Sequence, residues 1–394
     1  MKIENIYLGT WFQRTSLHLR ELFHFLETGK SKLDLEQKRL ANFYKELNPK
    51  KVCWQERGVF DSVGAQFDEL EMTFFEDGLI LFKKECEDLK KDLASLREFY
   101  EKKFSLAISY IYSLGAPLPK QLAKVELILP YIIVVSEAEE KEIKELFSEI
   151  KDSLQSSIST PGLSLYFGNE VLLLGLKERK EGLQIEEIIK YFIFFREFAN
   201  QLNSYLQAHR TIWEEIRQIR SRPVLRSKDF PNVRNSLMEI KQTISFVGAR
   251  LAQMENFMAG RKVRAKEKGL EETLRALSIY QFDTLANTHR YMTSLWKMTQ
   301  DYADSTFNLL SMFYQENVQR EVDALKLVTI ISLVAALFRL SFLPIPEYNL
   351  LHPQLWGSLF LIFIFAAIFY FGMRYWFRSR KFELQKRQRD NHEK

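Results

Sequence analysis

From residue 270 onward apolar side chains recur at three- and four-residue steps: Leu274, Leu277, Leu285, Met292, Leu295, Tyr302, Leu309, Phe313 and Val318. That is the spacing of one face of a helix. Polar residues such as Gln281, Thr288 and Thr299 interrupt the stripe, but 270–343 contains neither Gly nor Pro. The pattern predicts one uninterrupted helix of about 74 residues, roughly 110 Å long at 1.5 Å per residue. A helix of that length needs neighbours or self-association, as in a coiled coil. Two further helices are expected, at about 184–220 and about 232–259. Pro223 and Pro231 punctuate the segment 221–231 between them. The stretch GRKVRAKEKG (260–269) reads as a basic turn before the long helix, a solvated connector rather than an anion site.

The pattern before residue 184 is mixed. MTFFEDGLILFKK (72–84) predicts a hairpin turning at Asp77-Gly78, and LSLYFGNEVLLLGL (163–176) a second turning at Gly168-Asn169. KVELILPYIIVVS (124–136) reads as buried strand with Pro130 at a bulge or break. Residues 86–113 and the acidic stretch 137–154 read as helices. Residues 1–183 are therefore expected to form an α/β domain with a largely antiparallel sheet, and 184–324 a long-helix stalk.

Two apolar runs stand near the end of the chain. LVTIISLVAALF (327–338) carries no charge before Arg339, after which LSFL extends it to residue 343. The second, LWGSLFLIFIFAAIFYFGM (355–373), is uncharged throughout. Such runs predict a hairpin of two transmembrane helices, 325–343 and 355–376, with Lys326 snorkelling at its near end. The loop 344–354 has no Lys or Arg, whereas the tail 377–394 is basic. The positive-inside rule then places the loop outside and both termini in the cytosol of a multi-pass plasma (inner) membrane protein. Trp356, Tyr370, Tyr375 and Trp376 fall near the span ends, where aromatic residues prefer the interface.

Composition narrows the chemistry. With 27% charged residues and a mean hydropathy of −0.22, any membrane part is a small, separable fraction. The net charge of +5 is too mild and too concentrated in the tail to suggest a nucleic-acid partner. Cys53 and Cys86 are too few for a disulfide framework, and the six histidines are scattered. The N-terminus lacks a secretory signal. There is no Walker loop, dinucleotide fingerprint or nucleophile elbow, so an enzyme is not expected and no cofactor is implied.

The overall plan resembles the CorA-like divalent cation transporters, which include the CorA magnesium channels and the ZntB zinc transporters. The resemblance covers the whole chain in architecture, as an α+β cytosolic domain, long helices and a C-terminal two-helix hairpin. Locally it covers only ALKLVTIISLVAALF (324–338), where Lys326 and Thr329 match the family's Lys-x-Leu-Thr entry to the first span and Val328 replaces Leu. It implies a homo-oligomer, a pentamer in the family, that transports ions. The first span lines a pore, the cytosolic domain gates it, and a divalent cation such as Mg²⁺ is the transported or regulatory species. The family's Gly-Met-Asn motif is missing. Counting from Thr329 it would fall at Pro346-Glu347-Tyr348, making Glu347 and Asn349 the outer-mouth candidates. Thr329, Ser332, Ala336 and Arg339 share one helix face and are the pore-lining candidates. An arginine ring there would oppose divalent cations, unless Arg339 snorkels at the outer interface or pairs with Glu347. Acidic residues sense the metal in the family, but Asp301, Asp304, Glu316, Glu321 and Asp323 cannot be assigned that role individually. The competing expectation is a non-conducting scaffold or interaction protein of the same fold.

Overall fold

The computed structural model describes residues 2–11, 19–56, 60–112, 131–136, 139–176, 184–222, 224–226 and 229–341, with Ile364, Ile368, Phe371 and 381–383 beyond. Side chains are described to residue 333 on the last long helix, apart from Asn317. The chain divides into two compact units. The first holds 1–208 with 246–296, the second 209–245 with 297–394.

Among the described residues, the first unit is built on a nine-stranded sheet. Its strands are β1 (Lys2–Trp11), β2 (Lys50–Gln55), β3 (Ser62–Phe67), β4 (Leu70–Phe75), β5 (Leu79–Glu85), β6 (Tyr131–Ser136), β7 (Ser156–Ser159), β8 (Leu163–Phe167) and β9 (Val171–Leu176), in the order β2-β3-β4-β5-β1-β6-β9-β8-β7. Every pairing is antiparallel except β6 with β9, which is parallel. β6 and β9 are buried almost end to end, as continuous Val/Ile/Leu runs covered on both faces should be. The 72–84 hairpin is β4 and β5 turning at Asp77-Gly78, with Gly78 at φ +95°. The 163–176 hairpin is β8 and β9. Its turn is held from outside: the Asp152 carboxylate accepts the backbone N–H groups of Asn169, Glu170 and Val171 at 2.9–3.0 Å. Burial works to raise that carboxyl, but these N–H groups outweigh it and hold it below the usual range.

Alternation splits the strands between two cores. Ile6, Leu8, Val63, Met72, Phe82, Ile133 and Leu173 face a cluster with α1 (Leu19–Thr28), α2 (Gln37–Leu47), α3 (Leu89–Phe99), α4 (Ser105–Tyr112) and α5 (Glu140–Glu149). A π-helical turn, Tyr100–Phe104, joins α3 to α4. On the opposite face of β1, Gly9 and Trp11 meet α6 (Ile185–Arg220). A Cβ on Gly9 would overlap Ile193. Gly9→Ala is therefore expected to lower the denaturant midpoint by about 1–3 kcal/mol of stability. An unchanged midpoint in a urea titration would mean that α6 can draw back from β1.

The helical part departs from expectation in two places. The helix expected to stop near 259 is α7 (Phe230–Glu267) and absorbs most of the predicted basic turn. The turn comes later, at Gly269, φ +65°. The reason lies in the burial of α7: Phe230, Val233, Leu237, Ile240, Ile244, Val247, Leu251, Met254, Met258, Arg261 and Ala265 are all buried at alternating three- and four-residue steps. Arg261 and Ala265 extend that heptad seam, so GRKVRAKE is a helix end buried along one face, with Arg261, Arg264 and Ala265 inside and Lys262, Val263, Lys266 and Glu267 exposed, not a solvated connector. The single 74-residue helix is in fact two, α8 (Glu271–Ala276) and α9 (Phe282–Ser341). Between them Ser278 takes φ +55°, and Leu277, Ile279 and Phe282 are all buried. Tertiary burial of these three side chains bends a segment whose local sequence would let the helix continue.

The expected transmembrane hairpin is corrected as well. No helix among the described residues is long and apolar enough to cross a membrane. In the first run the uncharged stretch of α9 is 327–338, about 18 Å of helix against a hydrocarbon core of roughly 30 Å. It lies between Lys326 and Arg339, near the C-terminal end of α9. The loop 344–354, and with it Glu347 and Asn349, lies outside the described residues. So does the second run apart from Ile364, Ile368 and Phe371. The multi-pass membrane placement with cytosolic termini is corrected with the hairpin. In the expected basic tail, Lys381–Glu383 forms β11, antiparallel to β10 (Val224–Arg226).

Candidate functional site

The pore-lining candidates do fall on one helix. Thr329 is exposed, and its hydroxyl donates to the Leu325 carbonyl at 2.9 Å, within its own helix. Ser332 is half-buried. Ala336 and Arg339 lie on α9, but their side chains are outside the described set. No group of three or more His, Cys, Asp or Glu able to hold a metal occurs among the described residues. Of the acidic residues on α9, Asp304 pairs with Lys241 at 2.7 Å, Glu316 with Arg320 at 2.7 Å and Asp323 with Lys326 at 3.4 Å. Cys53 and Cys86 are free thiols.

Two arrangements stand out, of which sequence patterning singled out only part of the second. The first is a buried ionic cluster in unit one. Arg261, fully buried, occupies a seam position of α7 where the heptad calls for an apolar side chain. Its Nη2 donates to Asp77 Oδ1 at 2.8 Å and its Nε to Asp77 Oδ2. The Phe60, Phe75 and Phe194 rings surround its guanidinium at 5.2–5.7 Å. The Asp77 carbonyl accepts from Trp11 Nε1 at 2.8 Å, so the β4–β5 turn is held from two sides. One helical turn further on, Arg264 meets Glu187 at 3.5 Å, and Glu187 also meets Lys190 at 3.2 Å and Lys268 at 3.4 Å. Burial works to raise the Glu187 carboxyl, but these three cations outweigh it and hold it below the usual range. The geometry is that of a structural network with an excess of positive charge: Lys190 also meets Glu186 at 2.7 Å, which leaves four cations to three carboxylates, and Arg261 Nη1, Arg264 Nε and Nη1 and Glu187 Oε2 are buried without a hydrogen-bond partner among the described residues.

The second arrangement is the surface of α9. Phe282, Leu285, His289, Met292, Trp296, Thr299, Ala303, Thr306, Leu310 and Phe313 form its buried seam, in strict three–four alternation. In unit one, Phe282 packs on Phe195 at 4.7 Å, and His289 Nε2 lies 2.7 Å from the Leu251 carbonyl. In unit two, Tyr302 stacks on Trp213 at 4.6 Å, Lys241 lies over Phe307 at 4.9 Å and Tyr314 meets Phe230 at 6.0 Å. Beyond Phe313 burial ends: no described side chain from 314 to 333 is buried. Yet this stretch carries Tyr314, Val318, Val322, Leu325, Leu327, Ile330, Ile331 and Leu333, which are 38–62% exposed. The signal for this was present in the sequence, in the uncharged apolar run 327–338.

No protein-family model matches the chain, and no curated protein matches it.

Proposed function

We propose that this chain is a self-assembling interaction protein, in which an α+β platform carries long helices that join it to further copies of itself. The observation that supports this reading is the bare apolar end of α9. Over residues 327–333, past the last charge at Lys326, no side chain is buried, Val328 is half-buried, and Leu327, Ile330, Ile331 and Leu333 are exposed. At 3.6 residues per turn these five take up more than half of the helix circumference. A helix apolar over so wide an arc belongs in an interior, and one neighbour covers only one side, so the reading calls for at least three copies. With Met298, Met312, Tyr314 and Val318, the large apolar side chains that α9 exposes from residue 297 on offer on the order of 800 Å², what each partner contributes to a stable interface. That exceeds the roughly 300–600 Å² patch an ordinary monomer shows. The ion-conducting expectation depends on two spans and is not carried forward.

Sedimentation equilibrium of the full chain at micromolar concentration tests this. The expected mass is a multiple, three or greater, of 46.7 kDa, and Leu327→Glu with Ile331→Glu is expected to shift it to the monomer. A monomer, whether free or bound to phosphatidylcholine vesicles, overturns the proposal.

A further inference from the structure

α9 carries a second heptad stripe. Met298, Tyr302, Ser305, Leu309 and Met312 follow one another at steps of four, three, four and three, a seam in its own right on another side of the helix. Met298 and Met312 are 54% and 47% exposed, Ser305 is exposed, and Tyr302 and Leu309 are half-buried. None is charged. Upstream, Tyr291 and Leu295 keep the same register. A helix with two such seams packs on two sides, and the intramolecular packing of α9 covers the first but reaches the second only in part, at the half-buried Tyr302 and Leu309.

Resting on the self-assembly reading, we infer that this stripe is the surface on which copies meet, each α9 packing against the same stripe of another copy in parallel. Three features of the helix point to a copy of this chain as the occupant. Lys297 and Asp301 bracket one end of the stripe and Glu316 and Arg320 the other, so each end is neutral and identical copies do not repel. Ser305, small and central, lets two helices approach closely between the larger knobs. Tyr302 is held in place by Trp213 and by the Arg220 guanidinium 5.3 Å from its ring, a pre-ordered aromatic anchor of the kind that dominates interfaces. The parallel sense follows from the bare apolar end at 327–333. Parallel copies bring these ends together, whereas antiparallel ones would leave each exposed.

Disulfide trapping in the full chain, with Cys53→Ser and Cys86→Ser as background, tests the inference. Single cysteines at Met298, Ser305 and Met312 are each expected to give covalent dimers on mild oxidation, and Gln300→Cys, on the opposite side of α9, is not. Met298→Glu with Met312→Glu is expected to raise the dissociation constant by about 30-fold or more, with the circular dichroism unchanged because both positions are exposed. An assembly that persists undiminished in this variant, with no trapping at the three sites, overturns the stripe while leaving self-assembly standing. Trapping only between Met298→Cys and Met312→Cys chains overturns the parallel arrangement. A wild-type chain that sediments as a monomer overturns the underlying reading itself.

Discussion

Arg261→Ala is expected to cost about 3–5 kcal/mol of unfolding free energy, because it leaves Asp77 charged and buried without its counter-ion. Asp77 is fully buried and lies in the β4–β5 turn. Its remaining hydrogen bonds are to neutral donors: its carboxylate accepts from the Leu79 N–H at 3.3 Å and its carbonyl from Trp11 Nε1 at 2.8 Å. Asp77→Ala is expected to cost as much, for the reciprocal reason, since Arg261 would then sit uncompensated among Phe60, Phe75 and Phe194. The informative variant is Asp77→Asn with Arg261→Met. The seam of α7 wants an apolar side chain at 261, Met is flexible enough to fill the space, and Asn keeps the turn's acceptors. The double variant is expected to lie closer to wild type than either alanine variant, which urea titrations of all three would read directly. A double variant that loses as much as either alanine variant would mean that the ion pair is itself the source of stability. Recovery would mean that the pair fixes where α7 docks on the β4–β5 turn at little net gain, a registry role for a buried charge.

Legibility along this chain depended on how much of each element's pattern was local. The two hairpins carry their turn residues with them, so Asp77-Gly78 and Gly168-Asn169 placed four strands to within a few residues. β1 carried no such mark. It runs through the middle of the sheet between β5 and β6, yet KIENIYLGTW alternates poorly because both of its faces are covered, and nothing near it in sequence declares a partner. The long helices were evident from their spacing, but the expected stripe on α9 mixed residues of two seams: Leu285, Met292 and Phe313 belong to the buried one, Leu295, Tyr302 and Leu309 to the other. Separating them requires knowing which side faces the rest of the chain. Arg261 and Arg264 were hidden for the opposite reason. In sequence they are two charges in a basic run, and only the long-range partners Asp77 and Glu187 turn them into core residues.

Glu197→Gln is expected to stabilise the protein at pH 8 by on the order of 3 kcal/mol and to have no effect near pH 4. Glu197 lies on α6, is 2% exposed, and has its carboxyl pushed up to about 7 by burial. Arg196, the Asn200 amide and the Thr10 hydroxyl oppose that shift without cancelling it. Asn200 Nδ2 reaches Glu197 Oε1 at only 3.4 Å, a weak bond for a carboxylate, and the neighbouring Tyr100 phenol is itself raised to about 12 by burial. In the unfolded chain the same carboxyl titrates near its ordinary value of about 4.3. Between those values the folded protein binds the extra proton, so stability falls as pH rises. The contribution is fully present below about 4.3 and is lost as pH rises through 7. Glutamine mimics the protonated form and does not titrate, so the wild-type and variant stability curves should meet in acid and part steadily up to about pH 7. Guanidinium titrations at four or five pH values would trace that divergence. Curves that run parallel across the range would mean that Glu197 keeps an ordinary carboxyl and that water or Arg196 reaches it in solution.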